Sequence, residues 1–184
     1  MEIKSTPISG LLELTPKVHS DQRGWFLEIF KEPKFQEINS TVKYVQDNLS
    51  YSAKGVVRGL HLQLHPFQQA KVVTVIQGKV LDVVVDLRKG SSTFGKVYSC
   101  ELSSNNHKLL VIPEGFAHGF SALEDSFFFY KCSSVYSPQH ETGIRWNDQQ
   151  LNVNWQVDNP ILSEKDQGLP DLDELLRKSV ISPN

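Results

Sequence analysis

Lys71-Val72-Val73-Thr74-Val75-Ile76-Gln77-Gly78-Lys79-Val80-Leu81-Asp82-Val83-Val84-Val85-Asp86 is the stretch that decides the fold. Two Val-rich runs flank Gln77-Gly78, and a glycine at a short break between β-branched runs predicts a hairpin turn. In the second run Val80, Asp82, Val84 and Asp86 alternate with Leu81, Val83 and Val85, so one face of that strand is partly polar. A strand of this kind suits the lining of a cavity.

Outward from this pair the same grammar repeats. Strand-like runs fall at 11–14, 25–30, 44–50, 56–62, 71–76, 79–87, 96–102, 109–112, 120–123 and 127–133, and Gly, Pro, Asn or Ser clusters separate nearly all of them. Helical pattern is confined to a turn or two after Pro33 and to a final segment. There Pro170, Asp171 and Asp173 accompany Leu172, Leu175 and Leu176 at i, i+3, i+4 spacing. Many short strands with short peripheral helices predict an all-β, closed double-sheet architecture, a jelly roll or barrel whose interior holds one small ligand.

With 184 residues and 39% hydrophobic content, the chain is expected to form one domain over 1–184. Its net charge of -2 is spread along the chain, which leaves no basic face for a nucleic-acid backbone. No apolar run approaches the roughly 20 residues of a membrane span, and residues 1–10 lack the basic-then-apolar order of a leader. The expectation is a soluble cytoplasmic protein. Cys100 and Cys132 lie in strand-like runs without metal or redox spacing and read as reduced core residues.

Three titratable groups interrupt the apolar pattern. His61 ends the run Val57-Arg58-Gly59-Leu60-His61, His118 lies on a Gly-rich bend Pro113-Glu114-Gly115-Phe116-Ala117-His118-Gly119-Phe120, and Tyr130 sits within Phe127-Phe128-Phe129-Tyr130-Lys131. His65 is no metal partner for His61, because four strand residues separate Cα atoms by roughly 13 Å. The 113–118 bend resembles the second motif of the cupin superfamily. The first cupin motif needs a second histidine where this chain has Gln63, and no carboxylate follows in 64–68. With only His61 and His118 left, a divalent site is short of ligands, so a cupin barrel without metal is expected.

Eight tags, in order, carry a closer resemblance: Arg23 through Glu28, Gln46-Asp47-Asn48, Arg58 through His61, Gln69-Ala70-Lys71, Pro113 through Phe120, Phe129-Tyr130-Lys131, Gly143 through Asp148, and Leu162 through Asp166. This series resembles the TDP-4-dehydrorhamnose 3,5-epimerases over nearly the whole chain. The resemblance implies a cofactor-independent isomerase of TDP-rhamnose formation for cell-surface polysaccharide. It also implies a homodimer whose N-terminal strands cross to the partner. His61 matches the family's general base, Tyr130 its general acid, Asp166 the carboxylate that orients the histidine, and Lys71 and His118 residues around the keto sugar. Arg23, Glu28, Gln46, Asp47, Asn48, Arg58, Glu141 and Lys165 match positions that hold the nucleotide sugar. Two departures are Val135, where an aromatic commonly precedes Tyr136, and Leu62, where an aromatic often follows the base; both remove stacking options for the base of the nucleotide.

These residue types suit the implied reaction. A 4-keto group acidifies both C3–H and C5–H, since either carbanion delocalises into one carbonyl, and an imidazole with an ordinary pKa near 6.5 is a base matched to neutral pH. An ammonium stabilises enolate charge in a dry pocket, and inversion needs a second proton donor on the opposite face. No glycine-rich dinucleotide fingerprint is present, and nothing in the reaction is oxidised. Taken alone, Tyr130 reads as a core tyrosine and Asp166 as a surface carboxylate; their joint match to one site assigns them. Competing readings are a single-carbon epimerase on a related nucleotide-linked sugar, a metal-dependent cupin oxygenase and a non-enzymatic sugar-binding barrel.

Overall fold

The two Val-rich runs do form strands, β7 (Lys71–Gln77) and β8 (Lys79–Asp86), but they lie in different sheets. Gln77-Gly78 is therefore a corner between sheets, not the expected hairpin turn. The glycine signal does not separate the two, because either turn uses its positive φ, here +84°, and a close approach of backbone. A Cβ at Gly78 would stand 2.2 Å from the Asp125 carbonyl oxygen.

The structure, a computed structural model, describes residues 1–39 and 41–178. One sheet has six strands in the order β1 (Glu2–Ser5), β2 (Leu12–Thr15), β10 (Leu109–Ile112), β7, β12 (Ser126–Cys132), β5 (Gln46–Ser52). The other has five: β13 (Glu141–Gly143), β6 (Val57–Gln63), β11 (Phe116–Ala122), β8, β9 (Val97–Ser103). From β6 to β12 the chain steps between the two sheets at every connection but β8–β9, and all pairings within them are antiparallel. This is the all-β, cupin-type jelly roll expected. A separate ribbon, β3 (Val18–Asp21) with β4 (Gly24–Leu27), stands apart from both sheets, and β4 stops three residues short of the predicted 25–30 run because Ile29 and Phe30 turn in to pack beside Phe35.

Alternation decides what each face touches. Val80 and Val84 of β8 join Val73, Leu110, Phe120 and Phe128 in the core between the sheets, with Asp82 on the same face. Leu81, Val83 and Val85 point the other way, onto a second core roofed by Ile144, Leu151 and Trp155 from a C-terminal segment that is irregular over most of its length. That segment ends in two short helices. α2 (Glu164–Gln167) is N-capped by Ser163 and α3 (Leu172–Arg177) by Asp171, each side chain accepting a backbone N–H of the first turn. Leu172 and Leu175 bury the α3 face predicted from their spacing and contribute about 2 kcal/mol each. The helix after Pro33 is α1 (Glu32–Ile38), with Phe35 turned inward.

His118 is inside strand β11, not on a bend; the bend is confined to 113–115. Gly119, which reads as a breaker, instead marks a tight crossing, since a Cβ there would lie 2.4 Å from the Arg58 carbonyl oxygen.

Candidate active site

Period-two alternation builds a cavity of about 300 Å³ between the sheets at one end of the barrel. One wall comes from the six-stranded sheet, where Asn48 lies opposite Tyr130, Gln46 opposite Cys132, and Cys132 opposite Lys71. The facing wall comes from the five-stranded sheet, with His61 and Gln63 of β6 and Glu141 opposite Gln63 on β13. A groove on the rim is larger, about 590 Å³, and is lined by His65, Arg88 and Lys89. It shares only Leu62 and Gln63 with the cavity and holds none of the predicted site residues.

A bulge aims His61. Residues 58 and 61 belong on opposite faces of a regular strand, yet the β6–β11 register pairs His118 with His61 and Phe120 with Arg58. Gly59 and Leu60 thus oppose Gly119 alone, and both Arg58 and His61 turn to the site side. The His61 Nε2–H donates to Asp166 Oδ1 at 2.5 Å. This carboxylate, 4% exposed, is held in the first turn of α2 by the Ser163 cap and also accepts the Gly59 backbone N–H. Burial raises the Asp166 carboxyl, but the hydrogen bonds from His61, Ser163 and Gly59 outweigh it and hold the group below the usual carboxylate range. With a carboxylate on Nε2, the imidazole carries its proton there and Nδ1 is left as the basic nitrogen.

Across the cavity, burial pushes the Tyr130 phenol up, with the Arg58 guanidinium pulling against it, so the hydroxyl stays protonated and able to donate at neutral pH. Burial pushes the Lys71 ammonium down, opposed by the fields of Cys132, Glu141 and Asp82. At the rim Glu141 accepts hydrogen bonds from Lys165 Nζ and from Tyr136 Oη, the latter at 2.6 Å. Burial raises Glu141 as well, yet these contacts keep it ionised below its ordinary range. Arg58 donates to Ser52 Oγ and to the Tyr51 carbonyl.

Of the predicted residues, His61, Lys71, Tyr130, Gln46, Asn48 and Glu141 line the one cavity, Asp166 and His118 stand behind its wall, and Lys165 and Arg58 flank it. Asp47 is not brought in, because it alternates to the outer face and pairs with Lys131 at 2.6 Å. Arg23 and Glu28 lie on or just after the β3–β4 ribbon, paired with Asp21 and Lys34, outside the cavity lining. Cys132, read as a plain core residue, and Tyr136 and Gln69 also line the cavity; alternation from Tyr130 places Cys132, while the other two sit on loops where no periodicity applies. Gln63, at the position of the missing metal ligand, is a strut: its amide donates to the carbonyls of Phe67 and Val135 and accepts from the Ser137 N–H. Among the described residues no three His, Cys, Asp or Glu side chains cluster closely enough to hold a metal ion.

Residues 5–174 match the family model described as dTDP-4-dehydrorhamnose 3,5-epimerase. The chain belongs to the dTDP-4-dehydrorhamnose 3,5-epimerase family. It is similar to the epimerase of that name from Shigella flexneri, 49% identical over 168 residues, which cover 90% of this chain and 93% of the relative. Its fold is similar to the dTDP-6-deoxy-D-glucose-3,5-epimerase of Legionella pneumophila crystallised with dTDP-4-keto-L-rhamnose, with a TM-score of 0.93 and 40% identity over 100% of this chain and 98% of that one. A 3'-monoepimerase from Streptomyces bikiniensis in complex with dTDP-quinovose is a more distant neighbour, at 31% identity and a TM-score of 0.89, with 96% and 90% of the two chains covered. The dTDP-4-dehydrorhamnose 3,5-epimerases are isomerases, and this chain carries their all-β fold.

Proposed function

We propose that this protein inverts C3 and C5 of TDP-4-dehydro-6-deoxy-D-glucose to give TDP-4-dehydro-L-rhamnose. The observation that carries the reading is that a carboxylate-backed histidine and a neutral tyrosine stand on opposite walls of one cavity with a lysine beside them. His61 Nδ1 removes the proton at C3 or C5, Asp166 stabilises the imidazolium that forms, and the Lys71 ammonium lies in the field of the enolate oxygen. Tyr130 returns a proton from the other side, which inverts the centre. His118 borders the sugar, Gln46 and Asn48 offer amides to it, and Arg58, Lys165 and Glu141 bound the diphosphate and nucleoside end. No redox cofactor enters, because the substrate carbonyl is itself the electron sink.

The same reading makes the enzyme a homodimer. Its support is apolar surface without cover in one protomer: Trp25 and Phe26 of the ribbon are 61% and 68% exposed, and Leu49, Tyr51 and Ile76 are exposed on the six-stranded sheet. A ribbon that reaches the partner's cavity would carry Arg23 and Glu28 to the nucleotide they match. The same reading places the enzyme in the cytoplasm, in keeping with two buried, unpaired cysteines.

The deciding experiment follows TDP-4-keto-6-deoxy-D-glucose with this protein in deuterated water by NMR. Deuterium at both C3 and C5, with the doubly inverted product, is expected; label and inversion at one carbon alone would make it a single-carbon epimerase.

A further inference from the structure

The chemistry above leaves a carboxylate at the centre of the barrel without a task. Asp82 is 0% exposed and projects from β8 into the apolar core beside Val80 and Val84. Its Oδ2 accepts from His118 Nε2 at 2.9 Å, while Oδ1 has no partner among the described residues. A buried charge with one bare oxygen weakens a fold, so stability is a poor account of it. His118, 7% exposed, separates Asp82 from the cavity; it lies opposite His61 in register and within the fields of Lys71 and His61.

The groups that face Lys71 are Cys132 from β12, Glu141 from β13, His61 from β6, His118 from β11 and Asp82 from β8. Glu141 is engaged by Lys165 and Tyr136, and Asp166 is engaged by His61. Burial raises the Cys132 thiol and lowers His118, so both are neutral. Glu141 and Asp82 are the carboxylates whose fields act on Lys71, and of the two Asp82 alone is fully sealed from solvent. It is close enough to act on Lys71 and is not itself in contact with the cavity.

We propose that Asp82 is a positioning residue: it fixes His118 with its proton on Nε2, leaving Nδ1 as an acceptor toward the sugar, and supplies the counter-charge that keeps Lys71 an ammonium in a dry pocket. The proposal rests on the epimerase reading for its effect on rate. Its electrostatic part stands on this chain alone.

Asp82→Asn keeps a carbonyl for the His118 Nε2–H and removes the charge; Asp82→Ala removes both. The expected result for Asp82→Asn is a fold with an unchanged or higher Tm, kcat lower by about tenfold or more, and KM within about threefold. The alkaline limb of its kcat profile moves to lower pH, because a lysine without its counter-charge loses its proton sooner. Asp82→Ala falls further. In the protein without substrate, the Lys71 13Cε resonance, assigned by its loss in Lys71→Arg, titrates at lower pH in Asp82→Asn than in the unaltered chain. An unfolded Asp82→Asn, or one with unmoved Lys71 titration and pH profile, overturns the proposal. A moved Lys71 titration in a protein that epimerises nothing would uphold the electrostatics and sink the proposed function instead.

Discussion

Asp166→Asn probes the pair on which the proposed reaction depends, and its size can be worked from the hydrogen bonds. The Asp166 carboxylate serves two donors at once, His61 Nε2–H at 2.5 Å and the Gly59 backbone N–H. An asparagine has one carbonyl oxygen for these two donors and adds an NH₂ that needs acceptors of its own. If the carbonyl serves His61, the buried Gly59 N–H is orphaned, which costs about 1–3 kcal/mol. If the amide NH₂ turns to His61, the imidazole must carry its proton on Nδ1, and the pocket has no base. Either branch also forfeits the charge-assisted bond to the imidazolium formed during proton removal, about 1.5–3 kcal/mol. The orphaned N–H is present in ground and transition states alike and falls on stability. The lost bond to the imidazolium, about 1.5–3 kcal/mol, lowers kcat by about 10–10² at 1.4 kcal/mol per decade, and the wrong tautomer lowers it further.

The assay is deuterium uptake at C3 and C5, measured as initial rates by NMR with KM determined in parallel. Substrate affinity should change little, since Asp166 lies behind His61 and is not itself part of the cavity lining. His61→Asn should lose more, because the base itself is gone. A kcat for Asp166→Asn within threefold of the unaltered enzyme would refute the reasoning, as would a loss that fell on KM alone.

Tyr130→Phe should keep its packing beside Phe128 and still exchange deuterium, but form the doubly inverted product at least about 10²-fold more slowly, as NMR of the product will tell. For Lys71→Met, kcat should fall about 10²–10³-fold, and the unaltered enzyme should lose activity at alkaline pH below the ordinary lysine range, since burial holds that ammonium down; a steady-state pH profile checks both. Extensive chelation should leave kcat within error, and restoration of activity by one added divalent ion would contradict the metal-free reading. Asp86→Asn should destabilise the fold by about 3 kcal/mol in urea unfolding, because it strands Arg88. Burial raises Asp86, but Arg88, Ser91 and Thr93 outweigh it and depress its carboxyl, so this contribution is present above about pH 4 and is lost as pH falls through the lower folded value.

The walls of the cavity were legible because alternation is a short-range rule. Once β5 and β12 are strands, Gln46 with Asn48 and Tyr130 with Cys132 must share a face. The polar face of Asp82 in β8 was visible for the same reason. What no local pattern carried is equally specific. The Gln77-Gly78 corner looks like a hairpin because both use a positive-φ glycine, and only the partners β10 and β12 show that β7 has left β8. The bulge that sets Arg58 on the site side with His61 depends on two glycines from different strands meeting, Gly59 and Gly119. Asp166 joins His61 across 105 residues of sequence, the last stretch of it, after Gly143, irregular chain held by its contacts with Leu81, Val83 and Val85. Such a pairing is fixed by tertiary packing, and from the sequence it rested on resemblance alone.

The double-sheet architecture itself answers what an epimerase must arrange. Facing sheets stand about 10 Å apart, so side chains from the two inner faces reach toward opposite sides of whatever lies between them. His61 comes from one sheet and Tyr130 from the other, so the base and acid of the proposed reaction would stand on opposite faces of a sugar ring as a consequence of topology. Deeper in the barrel, Phe128 lies against Tyr130 and His118, and Phe120 stacks on Phe128 at 4.3 Å. This apolar stretch of the core borders the site residues and keeps the local dielectric low, where in the proposed reaction Lys71 and the carboxylate-backed imidazole would act most strongly on a developing enolate. The reacting carbons flank the carbonyl symmetrically, so a single base, a single acid and a single cation between two sheets suffice for both inversions, provided the ring presents C3 and C5 in turn.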